Sequence, residues 1–538
     1  MTKHKKLKNA IGIIGAFLLI FTYAALLSAS LPSRHFVIVI PSYNNKEWYK
    51  NNIESAIKQK YDNFEIIYID DCSPDGTGNL VEAFLAQQQP SCKVTLIKNT
   101  QRCGALNNIY RAIMQCDDDD IIVTLDGDDC LAHDGVLTKL NTVYANPNVW
   151  MTHGQLKMFP SGTICSWSQA MPQEVIANHA YRNYRNIPTH LRTFYAWLFR
   201  KIKLEDLLYE GKFFPMTWDM AFMIPMMELS GGNHAFIDEV LYIYNEGNPI
   251  NDHKVSKELQ KKLDLFIRGK KRYTPISRYS QDSVRTPTLV DCIVCASNTA
   301  HLNSFLEAMQ TYIIGIENVH VLWSDDTIDD QVQKYVSDLP FSVTYYYVTS
   351  DTFKNKLVNI INSSSNHYLL FATDHTLLTH DIDLQECTRI LEQAQAYGFY
   401  LATPPVQEIR TSPYVAIDDH VCVWQFGYTP ATWINPGTPS LALYRTNTLQ
   451  PLLSLLDYDS FATLELCWSA VCNVNNVGVF YNDARAYTEK LIPTIPLTRQ
   501  ERIIPVHMYE QSSQEPAQHT PNKSCNHTNK KKKKKNKK

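Results

Sequence analysis

The sequence contains only one Cys-x-x-Cys, so no second pair completes a zinc set, although it holds thirteen cysteines in 538 residues. That pair, Cys292-Ile-Val-Cys295, sits inside the mostly apolar run Leu289–Ala296. Positions i and i+3 of a strand face opposite sides, so the pair reads as two buried structural thiols and not as a metal knuckle. The cysteines follow no repeating spacing, and their odd number leaves at least one thiol free or paired between chains. The chain also lacks a basic body. Net charge is −3, but eight of the nine residues from 530 to 538 are lysine, and without those eight charges the remainder carries −11. A mildly acidic body argues against nucleic acid as a partner. Nor is the composition that of a disordered or fibrous chain, since 44% of residues are hydrophobic and 20% charged. The length exceeds what one core usually supports, so two domains are expected.

An uncharged stretch runs from Ile11 to Leu31, after Lys3, Lys5, Lys6 and Lys8. As a helix it rises about 32 Å, enough for a hydrocarbon core of about 30 Å. The preceding lysines predict a cytoplasmic tail, 1–10, and a single-pass signal anchor, 11–31. The alternative is a cleaved signal peptide and a secreted protein, because Ser28-Ala29-Ser30 is a small-residue run of the cleavable type. The stretch is longer than a usual signal h-region of about 7–15 residues, which favours the anchor.

From His35 onward, short β-branched strands alternate with amphipathic helices. Strands are expected at Phe36–Ile40, Phe64–Ile69, Val94–Ile97 and Ile121–Leu125, with helices at Lys46–Gln59, Thr77–Gln88 and Ala105–Met114 between them. Such alternation predicts an α/β fold with a parallel sheet, whose ligands sit beyond the carboxyl ends of the strands. A basic, Pro- and Ser-containing linker, 270–287, separates the first unit, 33–269, from a second α/β unit of similar spacing, 288–505. In the second unit, strands are expected at Thr288–Ala296, Val319–Trp323, Ser342–Val348 and Tyr368–Phe371, and helices at Leu302–Tyr312, Ile328–Ser337 and Thr352–Asn362. The polar, lysine-ended tail, 511–538, reads as disordered.

Four polar clusters follow the four first strands in order. They are Pro41-Ser42-Tyr43-Asn44, Asp70-Asp71-Cys72-Ser73-Pro74-Asp75-Gly76-Thr77, Asn99 to Asn107, and Asp126-Gly127-Asp128-Asp129. Any one alone is an ordinary turn or helix cap. Four in order at the correct ends of one sheet are a site. On an extended strand end Asp126 and Asp128 face one side, so both can meet one cation. Hard Mn²⁺ or Mg²⁺ prefers such carboxylates together with phosphate oxygens, and a metal–diphosphate held this way is a stabilised leaving group.

The order Pro-Ser-Tyr-Asn, Asp-Asp-x-Ser-x-Asp-x-Thr, Asn-x-x-Arg-x-Gly-x-Leu-Asn and Asp-x-Asp-Asp resembles the family 2 glycosyltransferases of the GT-A fold. Thr217-Trp218-Asp219 through Glu228, followed by Gly231-Gly232, is similar to the family's catalytic-base segment, and Leu241–Asn245 to its closing strand. The resemblance covers roughly residues 35–250. It implies an inverting, metal-dependent transferase that takes a nucleotide-sugar donor and a glycan, lipid or protein acceptor. Asp71, or its neighbour Asp70, would bind the nucleobase, with Pro41 and Tyr43 lining that pocket. Arg102 would approach the ribose or diphosphate, Asp126 the ribose or metal, and Asp128 would ligate the metal. Asp219 would deprotonate the acceptor hydroxyl; the residue before it departs from the family's frequent acid and is Trp218. A plain helix cap is the alternative for Asp219.

His190, Arg192 and Trp197 combine flat faces with donors and are candidates for acceptor binding. In the second unit Phe371-Ala372-Thr373-Asp374-His375 looks like a worn copy of the metal motif, so that unit reads as a degenerate GT-A-like domain with a structural or acceptor-binding role, an intact second transferase being the alternative. A catalytically inactive protein that binds nucleotide-sugar or glycan is the alternative for the whole chain. The complete set Asp126, Asp128 and Asp219 weighs against it. A nucleotidyltransferase would need a glycine-rich, basic loop after the first strand, which Pro41–Asn45 is not.

Overall fold

A computed structural model describes residues 32–488, apart from 187, 278–288, 325–338, 403–413, 419, 429–435 and 484. The expected tail 1–10, anchor 11–31, helix Ile328–Ser337, most of the linker and the tail 511–538 lie outside the described residues. Among the described residues no helix is long and apolar enough to cross a membrane.

The first sheet holds β1 (Phe36–Ser42), β2 (Phe64–Asp70), β3 (Lys93–Lys98), β4 (Ile121–Thr124), β5 (Cys130–Leu131), β6 (Met151–Phe159), β7 (Arg192–Tyr195) and β8 (His234–Asn245). Their order is β3-β2-β1-β4-β7-β6-β8-β5. Every side chain of β1 is buried, as a strand covered on both faces requires. Each such apolar side chain contributes about 1.5–3 kcal/mol on burial. Packing therefore fixes the strand and leaves its polar carboxyl end free for other work. The helices α1 (Tyr49–Ile57), α2 (Thr77–Gln88), α3 (Ala105–Met114), α4 (Val136–Tyr144) and α5 (Trp218–Ser230) cover the sheet. In α3 the buried Leu106, Ile109, Tyr110 and Ile113 form the i, i+3, i+4, i+7 stripe of a helix lying on a core.

The parallel pairing expected of the first four strands is present, and antiparallel strands extend the sheet beyond them. β3, β2, β1 and β4 are parallel, but β7 enters antiparallel to both β4 and β6, and β5 is antiparallel to β8. The pairing of Thr124 with Arg192 has a consequence for the site. It sets the amino end of β7, with His190 and Arg192, beside the carboxyl end of β4, where Asp126 follows.

The second sheet comprises β9 (Val290–Ala296), β10 (Ile316–Trp323), β11 (Ser342–Tyr347), β12 (Tyr368–Thr373), β14 (Gly398–Tyr400), β15 (Tyr414–Ala416), β16 (Val421–Gln425), β17 (Ala442–Arg445) and β18 (Val477–Tyr481). A short strand β13 (Thr376–Leu378) pairs outside it with β19 (Ala486–Thr488). The order is β11-β10-β9-β12-β17-β14-β18-β16-β15. Its first seven places repeat the first seven of the N-terminal sheet in strand direction as well as order. The helices α6 (Thr299–Tyr312), α7 (Ser350–Ser363) and α8 (Leu384–Gln393) pack in this half. Cys292 and Cys295 lie on β9 as free thiols, and burial raises both, Cys295 to about 12.

Candidate active site

The loops beyond the carboxyl ends of β1, β2, β3 and β4 close on a cavity of about 610 Å³. The loop after β1 is tied to the loop after β2, since the backbone N–H groups of Asn44, Asn45 and Lys46 donate to Ser73 Oγ, Thr77 Oγ1 and Asp75 Oδ2. Asp71 organises the third loop. Its carboxylate accepts from the N–H groups of Cys103 and Gly104, each at 2.8 Å, and from Asn99 Nδ2 at 2.9 Å. Gly104 has φ +88°, a conformation that lets its N–H turn back onto the carboxylate just before α3 begins. Arg102 is thereby carried over the Tyr43 ring, with its guanidinium carbon 3.8 Å from the centroid. Pro41, Tyr43, Asp71, Arg102 and Gly104 share one wall of the cavity lining. Asp70 does not line it; that side chain is buried and accepts from Ser73 N at 3.3 Å, so between the two candidates only Asp71 faces the cavity.

Asp126–Asp129 is a turn and not the extended strand end expected from the sequence, because Asp129 N donates to Asp126 O at 3.0 Å. Asn52 of α1 clamps the turn by donating to the carbonyls of both Asp126 and Asp129 at 2.8 Å. A Cβ on Gly127 would fall 2.6 Å from Asn45 Nδ2 and 2.7 Å from Ser42 Cβ, so only glycine lets the turn approach β1. The Asp129 carboxylate faces inward and accepts from Tyr242 OH at 2.7 Å and Asn245 N at 2.6 Å. Asp128 accepts from Asn248 Nδ2 at 2.6 Å. Burial and the neighbouring Asp126 charge push the Asp128 carboxyl up to about 6.

Asp126, Asp129 and His190 bring one donor atom each within 4.8 Å. Asp126, Asp128 and Asp129 all line the cavity; Asp129 accepts from Tyr242 and Asn245, and the sequence motif pairs Asp126 with Asp128. The latter pair, with hard oxygen donors and mutual repulsion that a dication would relieve, fits Mn²⁺ or Mg²⁺.

From Asp126 a chain of side chains crosses the cleft. His190 Nε2 lies 3.2 Å from Asp126 Oδ2, and Arg192 Nη2 is 3.5 Å from His190 Nδ1 and 2.6 Å from Asp219 Oδ2. Burial, then the Arg192 charge, push the His190 imidazole down against the pull of Asp126, so the ring is neutral at pH 7. Arg192 then donates to Nδ1 while the Nε2–H donates to Asp126. Burial opposes ionisation of Asp126, but the His190 bond and the Arg192 charge outweigh it and hold the carboxyl low. Asp219 stands in the first turn of α5 and lines the cavity.

One of the acceptor candidates occupies another place than expected. Arg192 lines the cavity, buried, with its Nη2 donating to Asp219. Trp197 does not line the cavity at all: it is buried with its ring centroid 5.2 Å from that of Trp150 and 6.4 Å from that of Tyr195, as core. His190 does line the cavity, stacked on Tyr242 at 4.4 Å.

Several residues of the site carried no role in the sequence reading. Asp252 lines the cavity, and burial followed by the charges of Asp219, Asp126 and Asp128 pushes its carboxyl up to about 6. Asn248 sits in the polar loop directly after β8, the same kind of position that identified the other four loops, and Asp252 opens the short helix Asp252–Val255 that follows. Trp167 and Ile250, half exposed, join Leu156 and Met158 in an apolar lip.

Residues 37–208, about a third of the chain, match the family described as Glycosyl transferase family 2. An uncharacterized glycosyltransferase of Haemophilus influenzae is 32% identical over 112 residues, which is 21% of this chain and 35% of that protein. A putative teichuronic acid biosynthesis glycosyltransferase of Bacillus subtilis, TuaG, is 27% identical over 88 residues, 15% of this chain and 35% of its own. The chain thus spans about a third of the length of these curated relatives. A crystal structure of residues 1–349 of S. aureus TarS in complex with UDP-GlcNAc superposes with a TM-score of 0.31 and 15% identity, covering 41% of this chain and 61% of that one. The family match covers β1 to β7 and the loops that carry Asp71, Arg102, Asp126 and Asp128, and it ends before Asp219.

Proposed function

We propose that the chain transfers a sugar from a nucleoside-diphosphate sugar to an acceptor hydroxyl with inversion at the anomeric carbon. One observation carries this reading. A single cavity has a stacked aromatic–guanidinium wall beside Asp71 at one end, Asp126 and Asp128 in the middle, and Asp219 across from them. The first wall suits a nucleobase and ribose, the middle a metal-bound diphosphate, and the far side an acceptor.

Asp126 and Asp128 would hold Mn²⁺ or Mg²⁺. When bound, the ion neutralises charge building on the departing diphosphate. The remaining chemistry belongs to side chains. Arg192 fixes Asp219 through Oδ2, leaving Oδ1 for the acceptor O–H. As the acceptor oxygen forms its bond to the anomeric carbon, Asp219 takes the proton and the carbon–phosphate oxygen bond breaks, its electron pair leaving with the nucleoside diphosphate. Attack opposite the leaving group inverts the centre. The apolar lip of Trp167 and Ile250 offers flat surface to the acceptor, a glycan or the hydroxyl of a lipid or protein. Anchoring through 11–31, with the domain beyond the membrane from a cytoplasmic tail, is proposed from the lysine-flanked apolar run.

The test is incubation of the detergent-extracted full chain with a panel of nucleoside-diphosphate sugars, with and without Mn²⁺, measuring released nucleoside diphosphate and the anomeric configuration of product. Metal-dependent release with one donor and an inverted product is expected. Absence of both binding and release across the panel would overturn the reading.

A further inference from the structure

The second sheet ends, like the first, in a cluster of chemistry-bearing side chains at the carboxyl ends of two adjacent parallel strands, here β9 and β12. Asp374 follows β12 directly, and its N–H donates to Cys295 O of β9 at 3.1 Å. One carboxylate oxygen, Oδ2, is held by three donors: Ser297 N at 2.6 Å, Ser297 Oγ at 2.9 Å and Asn298 N at 3.2 Å. The other, Oδ1, lies 3.8 Å from His375 Nε2, too far for a hydrogen bond. His375 Nε2 is 3.0 Å from Ser297 Oγ. His301, exposed in the first turn of α6, stands edge-on to His375 with ring centroids 4.7 Å apart, and Asn298 Nδ2 lies 2.8 Å from its Nδ1. Each of the three residues brings one ligand atom within 4.8 Å of the other two.

We propose that His301, Asp374 and His375 form a binding site for a borderline divalent transition ion of the Zn²⁺ or Co²⁺ class, separate from the Asp126–Asp128 site. Two imidazoles with one carboxylate are the donor set such ions select, whereas the all-oxygen set of the first domain selects Mn²⁺ or Mg²⁺. The geometry is that of a site prepared on two sides and adjustable on the third. The Asp374 side chain is almost fully buried, with one oxygen locked and the other directed at His375, so the carboxylate needs no reorganisation. An ion about 2.0–2.1 Å from each donor would draw the donors to roughly 3.3 Å of one another. His301 supplies that movement because its side chain is exposed. Ser297 and Asn298 act as supports that orient the ligands. Three protein ligands leave further coordination positions for water or an oxyanion. The site is independent of the donor-binding reading and stands or falls without it.

The experiment uses the full chain carrying Asp128→Asn, stripped with chelator and titrated with Co²⁺ and then Zn²⁺. Expected are one equivalent of Co²⁺ with visible d–d absorption, its displacement by Zn²⁺, and a rise in Tm with either ion. His301→Ala and His375→Ala should each weaken binding by at least about tenfold, since loss even of a supporting residue commonly costs 10–100-fold. His301 is exposed, so its variant keeps the fold, which an unchanged metal-free Tm would verify. Absence of a saturable equivalent overturns the proposal. So does binding that survives both histidine substitutions, or a thiolate charge-transfer band that assigns the ion to cysteine.

Discussion

Replacing Asp219 by Asn separates the base from every other carboxylate in the cleft. The side chain keeps its size, and the Asn carbonyl still accepts from Arg192, but a charge-assisted bond becomes an ordinary one. That difference is about 1 kcal/mol of stability, from about 1.5–3 down to about 0.5–1.5 kcal/mol. The catalytic loss should be much larger. Removing a positioned base costs about 10²–10⁴-fold in rate, or about 2.7–5.4 kcal/mol at 1.36 kcal/mol per decade. Donor affinity should stay where it was, because Asp219 stands across the cavity from the Tyr43–Arg102 wall. The assay is kcat by nucleoside-diphosphate release beside donor Kd by calorimetry, with Tm as the check on folding. Asp252→Asn is the necessary companion, since Asp252 is the other carboxylate near α5, with Oδ2 accepting from Thr217 N at 3.2 Å. A kcat for Asp219→Asn within tenfold of the parent refutes the argument, most sharply if Asp252→Asn instead abolishes turnover. Equal loss of donor affinity and turnover would refute it too, since a base acts only on the transition state.

Asp71→Ala should do the reverse, releasing the 99–104 loop and raising the donor Kd at least about tenfold, given the roughly 1.5–3 kcal/mol of a hydrogen bond to a charged group; calorimetry reads it. Chelation should abolish turnover and added Mn²⁺ or Mg²⁺ restore it, while Asp128→Asn should resist rescue; undiminished release in excess chelator would sink the metal reading. The metal-free protein should lose stability as pH rises from about 4 through about 6. The carboxyls of Asp128 and Asp252 are both raised to about 6 in the fold, so the folded state holds more protons than the unfolded chain in that window, and folding weakens as they leave. At most about 3 kcal/mol per group is at stake, less for solvent screening. Asp128→Asn should therefore raise the metal-free Tm above pH 6 and do little near pH 4, measured by a thermal melt with and without Mn²⁺.

The parts of the site legible in the sequence are those where local pattern and tertiary role coincide. A strand whose residues are all apolar, such as Phe36–Ile40, announces a central parallel strand, and the polar run after it must then lie at the sheet edge where ligands bind. That rule puts Asp71, Arg102, Asp126 and Asp128 in loops beyond strand ends, while Asp219 and the separate roles came from the family resemblance. What stayed hidden depends on pairings distant in sequence. β6 and β7 were not anticipated, and without the antiparallel return of β7 nothing in the sequence puts Arg192 against Asp219, 27 residues away. Trp197 was misjudged because an aromatic residue in a short apolar run has the same pattern whether it faces a ligand or Trp150. Asp129 and Tyr242 meet across 113 residues, a contact no periodicity announces.

The return of β7 also explains how so many carboxylates coexist in one cleft. Asp126, Asp128, Asp129, Asp219 and Asp252 all line it, and burial, then the neighbouring carboxylate charges, raises the carboxyls of Asp128, Asp129 and Asp252 above their ordinary range. Arg192 is a cation delivered from a strand of the sheet, and through His190 and Asp219 it touches both ends of the arrangement. It serves Asp126 through the imidazole and Asp219 directly, whereas Asp128 accepts from the amide of Asn248. Under the proposed function, a divalent ion and a diphosphate would complete the balance at Asp128, which lines the cavity with its carboxyl raised to about 6.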